Sequence, residues 1–314
     1  MSERKTAPGM DGGAGMSVTL KLKRDAMTGK DAALLTSIGY ALEYGTVFRQ
    51  DCGKARKVYE IAAEKGSGAA WNNLGFLYEE GHGVARDAEK AREYFLKSVR
   101  YEDTTAMVNL GNLYEYGLLE GGVDYGKAYY WYREAAVRED KTGIFNCANL
   151  MFWGRGVEKN RNRAFRIYSW LFRRGYPGCA YPLGICYEDG DAVEQDYEKA
   201  RYYYRMGALE DSRYCYDELG LMYLMGLGVE KDPELAMEYF LRAVELGSGP
   251  AAGHIGHMYE AGDGLEQDPE KARYWYSRGA EMADEASEEA LARLKEDDSA
   301  PEEDLQTENG GEEA

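Results

Sequence analysis

The sequence has little of what marks an enzyme, a secreted protein or a membrane protein. Histidine occurs three times in 314 residues, at His82, His254 and His257. His254 and His257 are three apart, so they share a face of a predicted helix, but two histidines without a positioned third ligand make a poor metal site. There is no Gly-x-Ser-x-Gly, and the one Ser-x-x-Lys runs from Ser2 to Lys5 near the terminus. Gly53-Lys54 and Gly126-Lys127 lack phosphate-loop spacing and are each followed by alanine. No catalytic residue, metal or cofactor is expected. A hydrolase using His254 or His257 is the alternative from a different class.

Cysteine is sparse, odd in number and out of step with any period: Cys52, Cys147, Cys179, Cys186 and Cys215. Cys179 and Cys186 would lie about 10 Å apart along one helix, too far to bridge. Free thiols in a reducing compartment follow, with Cys52 expected to be the exposed one. No apolar run approaches the ~18 residues of a membrane span. Residues 1–9 have no signal-peptide core, so the expected compartment is cytoplasmic. Basic residues are outnumbered, 38 against 56, for a net charge of −18. That field opposes nucleic acid and anionic membrane as partners.

What is present is a period. Leu74-Gly75-Phe76-Leu77-Tyr78-Glu79-Glu80-Gly81-His82-Gly83-Val84 returns from Leu110, Leu183, Leu219 and Ile255, with looser copies from Ile38 and Cys147. Its second glycine falls at Gly45, Gly81, Gly117, Gly154, Gly190, Gly226 and Gly262, in steps of 36, 36, 37, 36, 36 and 36. A fixed period of that size means stacked repeats, each burying its apolar face against its neighbours. The length prior of two domains gives way to it.

Each repeat reads as two helices. In the second repeat the first runs from Gly68 to Glu80 and the second from Ala88 to Tyr101. Ala91, Tyr94, Phe95, Ser98 and Val99 give the second helix its apolar stripe. Asp51, Asp87, Asp124, Asn160, Asp196, Asp232 and Asp268 stand at its cap, each such residue contributing about 1 kcal/mol. A glycine inside the first helix, as at Gly75, costs about 1 kcal/mol against alanine. Close approach of the two helix backbones, with no side chain between, is the expected compensation. The last glycine of the motif suits a left-handed helix end.

Four segments follow. Residues 1–30 have no helical period and are expected to be mostly disordered, although 17–23 alternate like a strand. Residues 31–284 form the repeat array. Residues 285–295 suit a capping helix, with Ala290, Leu291 and Leu294 over the open end. Residues 296–314 are acidic and expected to be disordered. From 285 to the end there are 12 acidic and 2 basic side chains, a net of −10, leaving −8 for the rest.

The unit Leu-Gly-x-x-Tyr-x-x-Gly-x-Gly-Val, then Asp-x-x-Lys-Ala, then Trp/Tyr-Tyr and Ala-Ala, resembles the Sel1-like repeat, a relative of the tetratricopeptide repeat. The resemblance covers residues 31–284. It implies an all-α fold, an α/α superhelical solenoid of about seven helix-turn-helix repeats. It also implies a protein-binding adaptor or scaffold, the usual role of the family in signalling, quality control and host contact. The chain departs from the cysteine-rich bacterial branch, which has a disulfide in each repeat. It departs as well from the secretory branch, since it has no entry signal.

In such repeats the first helix lines a concave groove, and its variable slots fall here on identifiable residues. The slot after the motif glycine holds Tyr40, Phe76, Asn112, Asn149 and His257, with Ile185 and Leu221 in the other two repeats. The slot after the motif tyrosine holds Glu43, Glu79, Glu115, Phe152, Glu188 and Glu260, with Leu224 in the sixth. The next holds Tyr44, Glu80, Tyr116 and Trp153, with Asp189, Met225 and Ala261 after them. Carboxylates beside aromatic faces suit a basic or aromatic peptide or protein. The same residues also suit solvated helix ends and packing. The fourth repeat has a basic stretch, Arg155, Lys159, Arg161, Arg163, Arg166, Arg173 and Arg174, interleaved with Phe165, Tyr168, Trp170 and Phe172. It suits an anionic partner, a solvated outer face, or the acidic tail of the same or another copy, which would make the protein self-assembling.

Overall fold

The computed structural model describes residues 32–299, and among them it holds fifteen α-helices, one short 3-10 helix and no strand. Their contacts divide the chain into two units, Met1–Asn160 and Arg161–Ala314. The first unit contains α1 (Ala32–Tyr44), α2 (Cys52–Glu64), α3 (Gly68–Glu80), α4 (Ala88–Val99), α5 (Thr104–Glu115), α6 (Tyr125–Val137) and α7 (Lys141–Trp153). The second contains α8 (Arg161–Phe172), α9 (Ala180–Asp189), α10 (Tyr197–Ala208), α11 (Arg213–Met225), α12 (Pro233–Glu245), α13 (Gly249–Ala261), α14 (Pro269–Glu281) and α15 (Glu285–Ser299). The expected strand-like segment 17–23 and the rest of 1–31 lie outside the described residues.

The Asp-x-x-Lys-Ala sequence has a complete local explanation. The Asp124 carboxylate accepts the Lys127 amide at 2.9 Å, and the same bond recurs at Asp51, Asp87, Asp196, Asp232 and Asp268. The lysine side chain folds back on the cap, with Lys127 3.0 Å from Asp124 and Lys199 2.7 Å from Asp196. Its ammonium then lies over the motif tyrosine of its own repeat, at 5.2 Å for Lys127 and Tyr114 and 5.1 Å for Lys271 and Tyr259. The alanine that follows is fully buried at Ala91, Ala128, Ala164, Ala200, Ala236 and Ala272.

The glycine within the first helix works differently from the expected close backbone approach. A side chain does intervene. It is the aromatic ring eight residues after each cap: Tyr59, Phe95, Tyr132, Tyr204, Phe240 or Tyr276. A Cβ on Gly75 would stand 2.5 Å from Cε1 of Phe95, and one on Gly220 2.5 Å from Cε1 of Phe240. The glycine is therefore a seat for a ring, and apart from Tyr276 these rings are among the largest fully buried side chains. In the fourth repeat the corresponding positions are Ala148 and Tyr168, both fully buried.

The paired glycines of the loop have two separate jobs. The first ends the helix in the left-handed region, as at Gly81 with φ +77°. The second packs on the start of the preceding repeat's second helix. A Cβ on Gly83 would meet Cβ of Cys52 at 2.6 Å, and one on Gly156 would meet the carbonyl carbon of Tyr125 at 2.5 Å. Cys52 is accordingly half-buried rather than exposed, and the other four thiols are buried and free. The single 37-residue step arises in the third repeat, where Gly117 and Asp124 are one residue further apart than Gly81 and Asp87. That loop turns its Leu119 into the core.

At the C-terminal end, α15 packs against α13 and α14. Ser287 is fully buried between Gly253 and Gly279, and Arg293 reaches Glu260 at 2.6 Å. Ala290, Leu291 and Leu294 are only half-buried. The helix runs to Ser299, so residues 296–299 are helical rather than disordered. Residues 300–314 lie outside the described residues.

Candidate functional site

The glutamate slot is mostly occupied from within. Tyr59 donates to Glu43 at 2.9 Å, Tyr132 to Glu115 at 2.6 Å, Tyr204 to Glu188 at 2.5 Å and Tyr276 to Glu260 at 2.6 Å. Each tyrosine is the ring seated on that repeat's glycine, so one side chain fills the core and reaches through to the carboxylate. Burial, with the adjacent carboxylate, raises the pKa of these tyrosines. Glu43 is 2 % exposed and also meets His82 Nδ1 at 3.1 Å. It is a core residue, contrary to its expected place in a groove. Phe152 is likewise fully buried, because it packs where the other repeats put a carboxylate.

Glu79 breaks the pattern. Its repeat seats Phe95, which has no hydroxyl, and the Glu79 carboxylate makes no hydrogen bond among the described residues. Burial, reinforced by Glu80, pushes its pKa up to about 7, with Arg86 opposing.

The following slot is exposed. In the first unit Tyr44, Tyr116 and Trp153 are 44 %, 66 % and 47 % exposed, with Glu80 also exposed between them in chain order. Tyr40 is exposed and its ring lies 4.5 Å from that of Tyr44, while Phe76 is half-buried against the edge of His82. Asn112 and Asn149 are half-buried. In the second unit Met225 and His257 are exposed.

A set of polar side chains on the first helices had no place in the slots read from the motif. It lies two and three residues before the motif glycine. Asn109 donates to Asn72 at 3.0 Å in the first unit. In the second, His254 Nδ1 meets Asp217 at 2.9 Å and Tyr181 donates to Glu218 at 3.4 Å. Burial works against the charge on His254, but Asp217 and Glu218 outweigh it and raise its pKa. Burial, with Glu188 and Asp217 nearby, pushes Glu218 up to about 7. The signal was available as polar residues at positions facing the next repeat, 37 residues on.

The basic stretch divides between the units. Arg155 and Lys159 are exposed in the first, with Arg155 5.6 Å from the Tyr125 ring. In the second, Arg161 is 14 % exposed and bridges Asp189 at 2.6 Å and Asp191 at 2.5 Å. It is a structural ion pair rather than part of an open patch. Phe165, Arg166, Ser169, Trp170, Arg173 and Arg174 line a surface cleft of about 270 Å³ along α8. The Arg174 guanidinium lies 4.1 Å over the Trp170 ring. Arg163 is exposed on the same helix.

No group of three or more metal-ligating side chains occurs among the described residues, and no described helix is long and apolar enough to cross a membrane.

This geometry defines a class: a tandem array of helical hairpins with uniform internal joints and first-helix faces that vary from repeat to repeat. The chain belongs to the Sel1 repeat family, whose model matches residues 32–67, 69–100, 104–136, 142–169, 177–212, 214–248 and 250–284. It is similar to a Sel1 repeat protein of Oxalobacter formigenes, at 25% identity and TM-score 0.63 over 91% of this chain and 82% of that one. It is also similar to c5321, a protective antigen of uropathogenic Escherichia coli with an SLR fold. That match has 26% identity and TM-score 0.61 over 88% of this chain. The chain spans 59% of the antigen's length. A search of curated proteins gives no significant match.

Proposed function

We propose that the chain is a non-catalytic adaptor that binds a protein or peptide along its first-helix faces. The observation that carries this is the register of Tyr44, Tyr116 and Trp153. Large rings stand exposed at one slot in three of the first four repeats, the second holding Glu80, while the preceding slot is turned inward in the pairs Glu43–Tyr59 and Glu115–Tyr132. Rings of this kind are the common anchors of protein interfaces. Four of the five glutamates are engaged by tyrosines, so electrostatic help from this slot rests chiefly on Glu79, with Glu80 beside it. A basic or aromatic ligand remains the best fit. Five free thiols agree with a reducing compartment such as the cytoplasm.

A hydrolase has less support. His254 is tied to Asp217, and the buried Cys215 thiol is pushed up to about 11, which leaves it protonated at neutral pH.

The test is quantitative capture from native lysate with wild type and a Tyr44→Ala, Tyr116→Ala, Trp153→Ala variant, followed by titration of the captured protein in pure form. The expected result is a partner bound at least about 30-fold more weakly by the variant, the loss typical of a hot spot. Equal affinity for both proteins would overturn the reading.

A further inference from the structure

The basic stretch of the fourth repeat has no part in the role proposed for the first helices, because its cleft lies along a second helix, α8. Arg166, Trp170 and Arg173 fall at i, i+4 and i+7, so they form one line on one face of that helix. Both arginines are exposed and form no ion pair among the described residues. Seven residues of helix separate them by about 10 Å along the axis, with the Trp170 ring between. No carboxylate lines the cleft, although the chain carries 56 acidic residues against 38 basic ones. Arg174 lies over the Trp170 ring at 4.1 Å, yet Trp170 stays 42 % exposed. The surface continues onto α10, where Tyr202 and Arg205 are exposed and the Tyr203 ring meets that of Phe172 at 5.2 Å.

An exposed ion pair contributes at most about 1 kcal/mol. The arginines therefore select for charge, and Trp170 has to supply the anchor. A matching occupant presents a carboxylate, an apolar side chain and a second carboxylate in that order, over the same span of about 10 Å. A second helix has this rise by construction. Acids at its positions i and i+7, with an apolar residue at i+3 or i+4, stand on one face. A nucleic-acid backbone fits less well, because the net charge of −18 repels it.

We propose that the α8 cleft is a docking site for an acidic amphipathic helix of a partner protein. Its two carboxylates pair with Arg166 and Arg173, and its apolar side chain lies on Trp170. The site shares no residue with the first-helix rings, so either can fail alone.

The test is fluorescence anisotropy of the full-length chain in about 0.15 M salt, where long-range charge effects are screened. The probe is a labelled, alanine-based helical peptide with Glu at i and i+7 and Leu at i+3 and i+4. A second peptide of the same composition has its leucines at i+2 and i+5, on the opposite face. Saturable binding of the first peptide is expected, at least tenfold tighter than that of the second. Arg166→Glu with Arg173→Glu should weaken it at least tenfold. Arg49→Glu with Arg100→Glu changes the net charge equally at exposed positions of the first unit and should leave it within twofold. Circular dichroism checks that each variant is folded. Equal affinity for the two peptides, equal losses in the two variants, or no saturable binding up to about 1 mM would each overturn the proposal.

Discussion

Burying a tyrosine ring favours an acceptor for its hydroxyl, and in four repeats the choice of ring matches the slot on the first helix, while the fourth repeat buries Tyr168 with Phe152 in that slot instead. Where the second helix has Tyr59, Tyr132, Tyr204 or Tyr276, the first helix has Glu43, Glu115, Glu188 or Glu260. Where it has Phe240, the slot holds Leu224. Only the second repeat combines a ring without a hydroxyl, Phe95, with a carboxylate, Glu79. In the folded chain Glu79 keeps its proton to about pH 7, against about 4.5 when unfolded. Stability linked to that proton is complete below about pH 4.5 and is lost as pH rises through 7. Glu79→Gln should therefore melt higher than wild type at pH 8.5 and by much less at pH 5, where most of that stability remains. Phe95→Tyr, which supplies the missing donor, should add about 1 kcal/mol at pH 8.5. Melting curves at the two pH values check both, and a Glu79→Gln shift of equal size at pH 5 and 8.5 would sink the argument. The glutamates were legible as a slot in the sequence. Their partners were not, because each lies 16 or 17 residues later on another helix.

The helices themselves were the most legible features, since caps, apolar stripe and terminating glycine all act within a few residues. The second repeat's first helix runs from Gly68 to Glu80, as its sequence predicts. The internal glycine was legible as a position needing no side chain. What fills that space was not, because a missing Cβ does not say which neighbour uses the room. Gly75→Ala should cost about 1–3 kcal/mol in urea denaturation, because the Phe95 ring must move. Gly53→Ala, whose Cβ would meet only Asp51 Oδ1 at 3.5 Å, should instead gain about 0.5 kcal/mol. Equal effects at the two glycines would show that ordinary helix propensity, and no ring seat, sets the cost.

For the molecule as a whole, the number of repeats was written in the spacing of seven glycines. The anchoring of the final helix was not, because Arg293 reaches back 33 residues to Glu260, a carboxylate already bonded to Tyr276. In an array held by contacts between neighbours, damage at one end stays near that end. Arg293→Ala should raise amide exchange in α13–α15 about threefold, matching the ~0.6 kcal/mol of an exposed pair, and leave α1–α7 unchanged. Exchange that rises equally in both units would mean that the chain opens as one cooperative body.

The glycine seams also bear on how such a gene can grow. Gly83 rests on Cys52, Gly228 on Tyr197 and Gly264 on Pro233, so three unlike residues share one kind of joint. What the joint needs is the absence of a Cβ on one side, with little demand on the identity of the other. A duplication that copies one whole unit in frame would thus bring its own fitting to the new junction, and it could enter at any of these seams without a matching mutation in the unit before it.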